Sequence, residues 1–314
     1  MSSSPISTTL VPPQFLQSAY LTGRIPFRLS RSHPSVSYTL YIPPHAYNPD
    51  PSRSSQEPPY NLPLLPLVVT IHGTSRNAEA CRNRLKDFAD KHHVAVLSPF
   101  FPAGITSALD LDSYKLLRAP AFNSDQVLLS IIDDEIAQIW PGYSGGGQFA
   151  LRMLYIHPSR LDAVSIGAPG RPTFLDENEP WPRGISDLDI VFGAGTKIDI
   201  DAIRAVRGIQ LLVGSEDNFI HGGEEFMSFI GQFKANMRKS SIQNQQAAVD
   251  PSLDAMKEGR LDGLTKLWDS WKQRVIEAKF DFVPGVAHEA SKVSPTMMEF
   301  LLPLIEDFKK QLLS

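Results

Sequence analysis

Cysteine is nearly absent: Cys81 is the only one in 314 residues. That rules out a disulfide framework and a cysteine-based zinc site, and Cys81 itself reads as a small buried apolar residue in a helix. Dense runs of Lys or Arg are missing too. With a net charge of −4 the chain offers no electrostatic footprint for nucleic acid. No apolar run approaches the ~20 residues that a membrane span requires. The start, Met1-Ser2-Ser3-Ser4-Pro5, has neither the basic nor the apolar region of a secretory leader, and no Asn-x-Ser/Thr sequon occurs. These absences lead us to expect a cytoplasmic protein without a membrane span. No internal repeat is found.

What is present suits one large domain. The apolar fraction of 42% and the 17 Phe are enough for a sizeable core. Residues 1–18, rich in Ser, Thr and Pro, read as a flexible N-terminal arm, and 43–62, also rich in Pro and Ser, as an exposed loop. Strands are expected at Arg24–Leu29 and Val36–Ile42, the second with alternating apolar positions. Leu67-Val68-Val69-Thr70-Ile71 is a continuous apolar run of the kind that buries both faces in a parallel sheet. Further strands are expected near Val94–Leu97, Leu161–Ile166, Ile209–Val213 and Phe280–Val283. Helices fall between them: Ala78–Lys91, one opened by Ser124 as N-cap, one after Gly147, and Pro295–Leu313. Residues 220–278 are mostly helical in pattern, more than one connecting helix needs, so part of them is expected to form a cap. Alternation of strand and helix implies a mostly parallel central sheet with helices on both faces, over residues 19–314.

The densest motif is Gly142-Tyr143-Ser144-Gly145-Gly146-Gly147. It matches G-x-S-x-G, a sharp strand-to-helix turn that presents a serine hydroxyl above a sheet. Two other features stand in order around it. A buried strand runs into His72-Gly73-Thr74, and two late strands end in Glu216-Asp217 and Val286-Ala287-His288. On these residues the chain resembles the α/β-hydrolase superfamily, serine-esterase kind, over roughly residues 20–312. The resemblance implies a triad of Ser144, Asp217 and His288, with an oxyanion hole from the backbone N–H groups of Gly145 and Thr74. Glu216 is the alternative acid, and His221 a less favoured alternative base. It implies no cofactor and a small-molecule ester as the substrate. Amide cleavage by the same fold is the alternative reaction.

The remaining histidines carry duller expectations. His72 is read as packing the oxyanion loop, and His92 and His93 as meeting the carbonyls at a helix end. His288-Glu289 lacks the second histidine of a zinc motif, and Gly193–Lys197 misses the phosphate-loop spacing. One segment does not fit. The helix opened at Ser124 keeps its apolar face through Ile136, Ile139 and Trp140, which leaves only Pro141 before the turn. The central strand ahead of the nucleophile is therefore expected to be shortened or missing. That makes a catalytically inactive protein, truncated before the elbow, the alternative from a different functional class.

Overall fold

The computed structural model describes residues 23–43, 65–107, 110–120, 122–133, 138–143, 145–218 and 259–312. The expected N-terminal arm, the loop of 43–62 from Pro44 on, and residues 220–258 of the expected cap lie outside them. Eight strands form one sheet: β1 (Gly23–Leu29), β2 (Ser37–Ile42), β3 (Leu67–Val69), β4 (Ala95–Phe100), β5 (Gln138–Tyr143), β6 (Ala163–Gly167), β7 (Gly208–Gly214) and β8 (Lys279–Val283). Their order is β1-β2-β4-β3-β5-β6-β7-β8. β1 and β2 are antiparallel to their neighbours, and every pairing from β4 to β8 is parallel.

Burial follows from that topology. All residues of β3 and β6, and all but the first of β7, are buried, because helices cover both faces. Alternate side chains go to opposite faces: Val68, Val96 and Leu212 point one way, and Val69, Leu97, Leu211 and Val213 the other. Against the first face pack α2 (Lys86–His92) and α8 (Ala290–Leu312), the latter through Val293, Met297, Leu301 and Ile305, four residues apart. The opposite face carries α3 (Ser124–Asp133), α4 (Gly145–Ile156) and α7 (Arg260–Gln273). Trp271 of α7 is fully buried and donates its indole N–H to the Tyr155 hydroxyl of α4 at 2.8 Å.

Several expectations shift. The helix expected over Ala78–Lys91 is two, with α1 (Ala78–Arg84) separated from α2 by Leu85. Ser124 is the first residue of α3, and its hydroxyl donates to the Tyr114 carbonyl at 2.7 Å, so it does not cap the helix. α8 begins five residues before Pro295, which lies inside it. The largest correction concerns the segment ahead of the nucleophile. α3 is described as far as Asp133, residues 134–137 lie outside the described residues, and Ile139 and Trp140 belong to a six-residue strand, β5, where the sequence left no room for one. It pairs with β6 at five positions, Ile139 to Tyr143, but with β3 only at Gln138 and Ile139. A residue preceding proline is biased towards extended backbone, so Trp140-Pro141 favours strand over helix locally. The helical period of the apolar residues was the weaker signal.

The turn after β5 admits no extra atoms. A Cβ on Gly146 would stand 2.2 Å from the Ile71 carbonyl oxygen at the end of β3. That neighbour is backbone and cannot swing aside, so Gly146→Ala has to push α4 off the sheet. The expected cost is about 2 kcal/mol or more. Urea unfolding with an unchanged midpoint in Gly146→Ala would contradict this packing.

Candidate functional site

The residues singled out in the sequence lie at the C-terminal ends of neighbouring parallel strands, where open sheets of this kind place their sites. His72 follows β3, Gly145 follows β5, Asp217 follows β7, and His288 follows β8. Ser144 and His221 lie outside the described residues.

Asp217 and His288 meet. Nδ1 of His288 is 2.7 Å from Oδ2 of Asp217, whose carboxylate is 1% exposed. The adjacent Glu216 is exposed, so the two acids differ completely in environment. The approach of the two loops depends on Gly214, where a Cβ would stand 2.1 Å from the Val286 carbonyl oxygen. Three hydrogen bonds then zip the loops together: Ser215 N–H to Val283 O at 3.0 Å, Glu216 N–H to Val286 O at 2.9 Å, and Gly285 N–H to Ser215 Oγ at 2.9 Å. The second oxygen of Asp217 accepts from Nη1 of Arg260 at 2.9 Å, and that side chain is 6% exposed. Arg260 opens α7, and Leu261 N–H also donates to the Asp217 carbonyl at 3.2 Å. The carboxylate is thus held from both sides. Removing Arg260 would leave the buried Asp217 charge without its fixed cation, at a cost of about 3–5 kcal/mol.

The loop after β3 is built around His72. Its Nε2 accepts from Phe101 N–H at 3.0 Å, which puts the proton on Nδ1, and Nδ1 then donates to the Gly73 carbonyl at 2.8 Å. That carbonyl also accepts from Arg76 N–H at 3.1 Å. The C=O and N–H of a trans peptide point in opposite directions, so fixing Gly73 O aims the N–H of Thr74 away from His72. The Thr74 hydroxyl accepts from Nζ of Lys115 at 2.9 Å. Gly145 stands beside this loop. A Cβ there would be 3.4 Å from Gly73 Cα, 2.6 Å from the Tyr114 hydroxyl and 2.8 Å from Lys115 Cε. The two expected oxyanion donors therefore sit on adjoining segments. As the first residue of a 12-residue helix, Gly145 also brings the positive end of the helix dipole to this point.

Beside the site opens a cavity of about 620 Å³, lined by Trp181, Phe174 and Leu116 together with Gln148, Arg152 and Lys115. None of its charged residues was expected from the sequence. Arg260 gave no signal there, being a lone arginine 43 residues from its partner. Burial pushes the Arg152 guanidinium down to about 9, and the Lys115 ammonium is likewise lowered by burial. Asp112 falls to about 2 despite its own burial, because Lys115 and Arg171 both pair with it. Cys81 is buried as expected, and the His92 ring lies 4.7 Å from that of Phe88, with Nδ1 4.0 Å from a Glu306 carboxylate oxygen. Among the described residues, no group of three or more His, Cys, Asp or Glu is placed to hold a metal ion, and no helix is long and apolar enough to cross a membrane.

No family model matches the chain, and no curated protein does. Solved structures match over nearly its whole length. Poly(aspartic acid) hydrolase-1 from Sphingomonas sp. KT-1 superposes with a TM-score of 0.62 at 17% identity, covering 89% of this chain and 98% of its own. The poly(3-hydroxybutyrate) depolymerase LpqC from Bordetella parapertussis gives 0.59 at 18% identity, over 93% and 92%. A ferulic acid esterase gives 0.50 at 11% identity, over 91% and 99%. With the strand order above, these likenesses show the α/β-hydrolase fold.

The buried neutral His72 makes a pH-dependent contribution to stability. Burial, with smaller effects from the Arg76 and Lys115 cations, holds it down at about 4 in the folded protein, against 6.5 ordinarily. Between those values the unfolded chain binds more protons. The contribution is therefore complete above pH ~6.5, declines as the pH falls, and is lost near pH 4. That gap corresponds to about 3 kcal/mol. Urea unfolding at pH 7, 5.5 and 4.5 should show a steeper loss in the parent than in His72→Gln, and equal slopes would refute the assignment.

Proposed function

We propose that the protein is a serine hydrolase that cleaves a carboxylic ester of a small to medium-sized molecule through an acyl-enzyme intermediate, without a cofactor. The observation that carries this reading is the 2.7 Å contact between His288 Nδ1 and the buried Asp217, two strands from the turn that bears Ser144. Fold alone would not license a reaction; this pair, in the order serine, acid, histidine, is the specific support.

The roles follow from the chemistry. A serine hydroxyl is a weak nucleophile until a base takes its proton. His288, held by Asp217 through Nδ1, turns Nε2 to that task. As Ser144 Oγ bonds to the acyl carbon, its proton passes to Nε2, and the carbonyl oxygen becomes an oxyanion facing the N–H groups of Gly145 and Thr74. Collapse expels the alkoxide, which takes the proton from His288 and leaves as the alcohol. Water then repeats the sequence on the acyl-enzyme, regenerating Ser144 and releasing the acid. Each oxyanion donor is worth about 3 kcal/mol of barrier. Asp217 is the acid in this reading because Glu216 faces solvent. Cleavage of an amide by the same groups is the alternative reaction. The short pairing of β5 with β3 favours a second reading, a protein of this fold whose serine is not aimed for catalysis.

Fluorophosphonate labelling of folded protein, followed by peptide mapping, separates the two. Modification is expected at Ser144 and is lost in His288→Ala. Ser144→Ala should lower p-nitrophenyl acetate turnover about 10⁴-fold or more. Folded protein that takes no label, or turnover that survives Ser144→Ala, would remove the serine-hydrolase reading.

A further inference from the structure

We propose that the cavity beside Asp217 and Gly145 is an anion subsite, and that the substrate carries a carboxylate within a few bonds of its scissile ester. The inference rests on the serine-hydrolase reading for the word substrate, but the site itself stands on charge and geometry. Three cations line the cavity close together, Lys115, Arg152 and Arg171, and the carboxylate of Asp112 lies among them. Asp112 divides its two oxygens between Lys115 and Arg171, the latter at 2.6 Å. The Arg152 side chain is 1% exposed and donates to neutral oxygens: Thr173 Oγ1 at 2.9 Å, the Lys115 carbonyl at 2.5 Å, and the Arg171 carbonyl at 3.3 Å.

A buried guanidinium normally meets a carboxylate, since an isolated buried charge is expensive. Among the described residues, Asp112 is the one carboxylate paired with this group of three cations, so the group keeps an excess of positive charge beside the apolar Trp181, Phe174 and Leu116. Of the other acids in the lining, Glu179 is already paired with Arg183 at 3.5 Å, and Asp176 accepts from Asn178. Neither is paired with Lys115, Arg152 or Arg171 among the contacts of the described residues. Lys115 connects the subsite to the chemistry. Its ammonium holds the Thr74 hydroxyl, and its Cε lies 2.8 Å from the place a Gly145 Cβ would take. Arg260 connects it from the other side, lining the cavity while holding Asp217. An anion seated among these groups therefore sits next to the reacting atoms, and the apolar walls take the chain that joins it to the ester.

Two matched substrate pairs test this, each differing in one charge. One is p-nitrophenyl hydrogen adipate against p-nitrophenyl methyl adipate, with the carboxylate on the acyl side. The other is 4-acetoxybenzoate against methyl 4-acetoxybenzoate, with it on the leaving group. At least one pair should show kcat/KM about tenfold higher for the anion at low ionic strength, with the ratio falling as salt is added. The favoured pair identifies which end of the ester occupies the subsite. Arg171→Gln should reduce the ratio several-fold, and Asp112→Asn should raise it, each checked for folding by thermal unfolding. Calorimetric titration with adipate, against adipamide as the neutral control, reads the subsite without any turnover. Adipate binding weakened by Arg171→Gln supports the subsite even if no ester is cleaved, in which case the hydrolase reading alone falls. Hydrolysis of both pairs with ratios at or below one, and no binding of adipate, overturns the subsite and leaves the hydrolase reading intact.

Discussion

The Asp217 carboxylate, buried and shared between Arg260 and His288, is the constraint on which the candidate site depends. A charge in that position is tolerable only if both oxygens are occupied by donors of the right sign. The requirement fixes three otherwise independent segments. The end of β7 must bring the acid up, the loop after β8 must bring the imidazole alongside, and α7 must begin at Arg260. Gly214 makes the first two compatible by letting the Val286 carbonyl approach to a distance no Cβ would permit. Held in this way, the imidazole has little freedom to turn, and its Nδ1 is committed to the acid.

A second set of constraints operates across the site, and it is neutral where the first is charged. His72 works as a two-ended connector between the β3 and β4 strand ends, accepting from Phe101 and donating to Gly73. Its protonation would turn the accepting nitrogen into a donor facing another donor. Burial prevents this over the ordinary pH range. The Tyr114 hydroxyl, donating to the His72 carbonyl at 3.2 Å, ties the same residue to the segment that carries Lys115. One histidine thereby orients the peptide of Thr74 and supports the wall of the cavity, which explains a buried imidazole with no acidic partner.

Much of this was legible in the sequence because the signals were local. The apolar run of Leu67–Ile71, the Gly-rich turn after Tyr143, and the acid and histidine following two late strands each lie within a few residues. Their order along the chain matched their order across the sheet. Where local signals conflicted, the reading failed. Ile136, Ile139 and Trp140 continue the helical spacing begun at Leu128, yet Ile139 and Trp140 lie in β5, between β3 and β6. Parallel pairing from Ile139 to Tyr143, a long-range interaction, outweighs the local period, and Pro141 already forbade a helix there. The choice between Glu216 and Asp217 was open in the sequence because adjacent residues share a loop. Burial, which depends on the whole fold, separates them.

The charged cavity shows the other limit. Asp112, Lys115, Arg152, Arg171 and Arg260 come from four stretches of chain, and none forms a recognisable run. Each alone reads as a surface charge in a chain whose net charge is −4. Folding reverses that impression by collecting these cations around one cavity, where Asp112 pairs with Lys115 and Arg171 and Asp217 with Arg260. Such an arrangement lowers stability in the empty protein, since Arg152 and Lys115 are held where burial disfavours their charged forms. Polar clusters that serve stability alone tend towards neutrality, because an added carboxylate would relieve the repulsion. Among the described residues the cluster stops short of neutrality beside the Asp217–His288 pair, which suits it to binding a carboxylate group better than to supporting the fold.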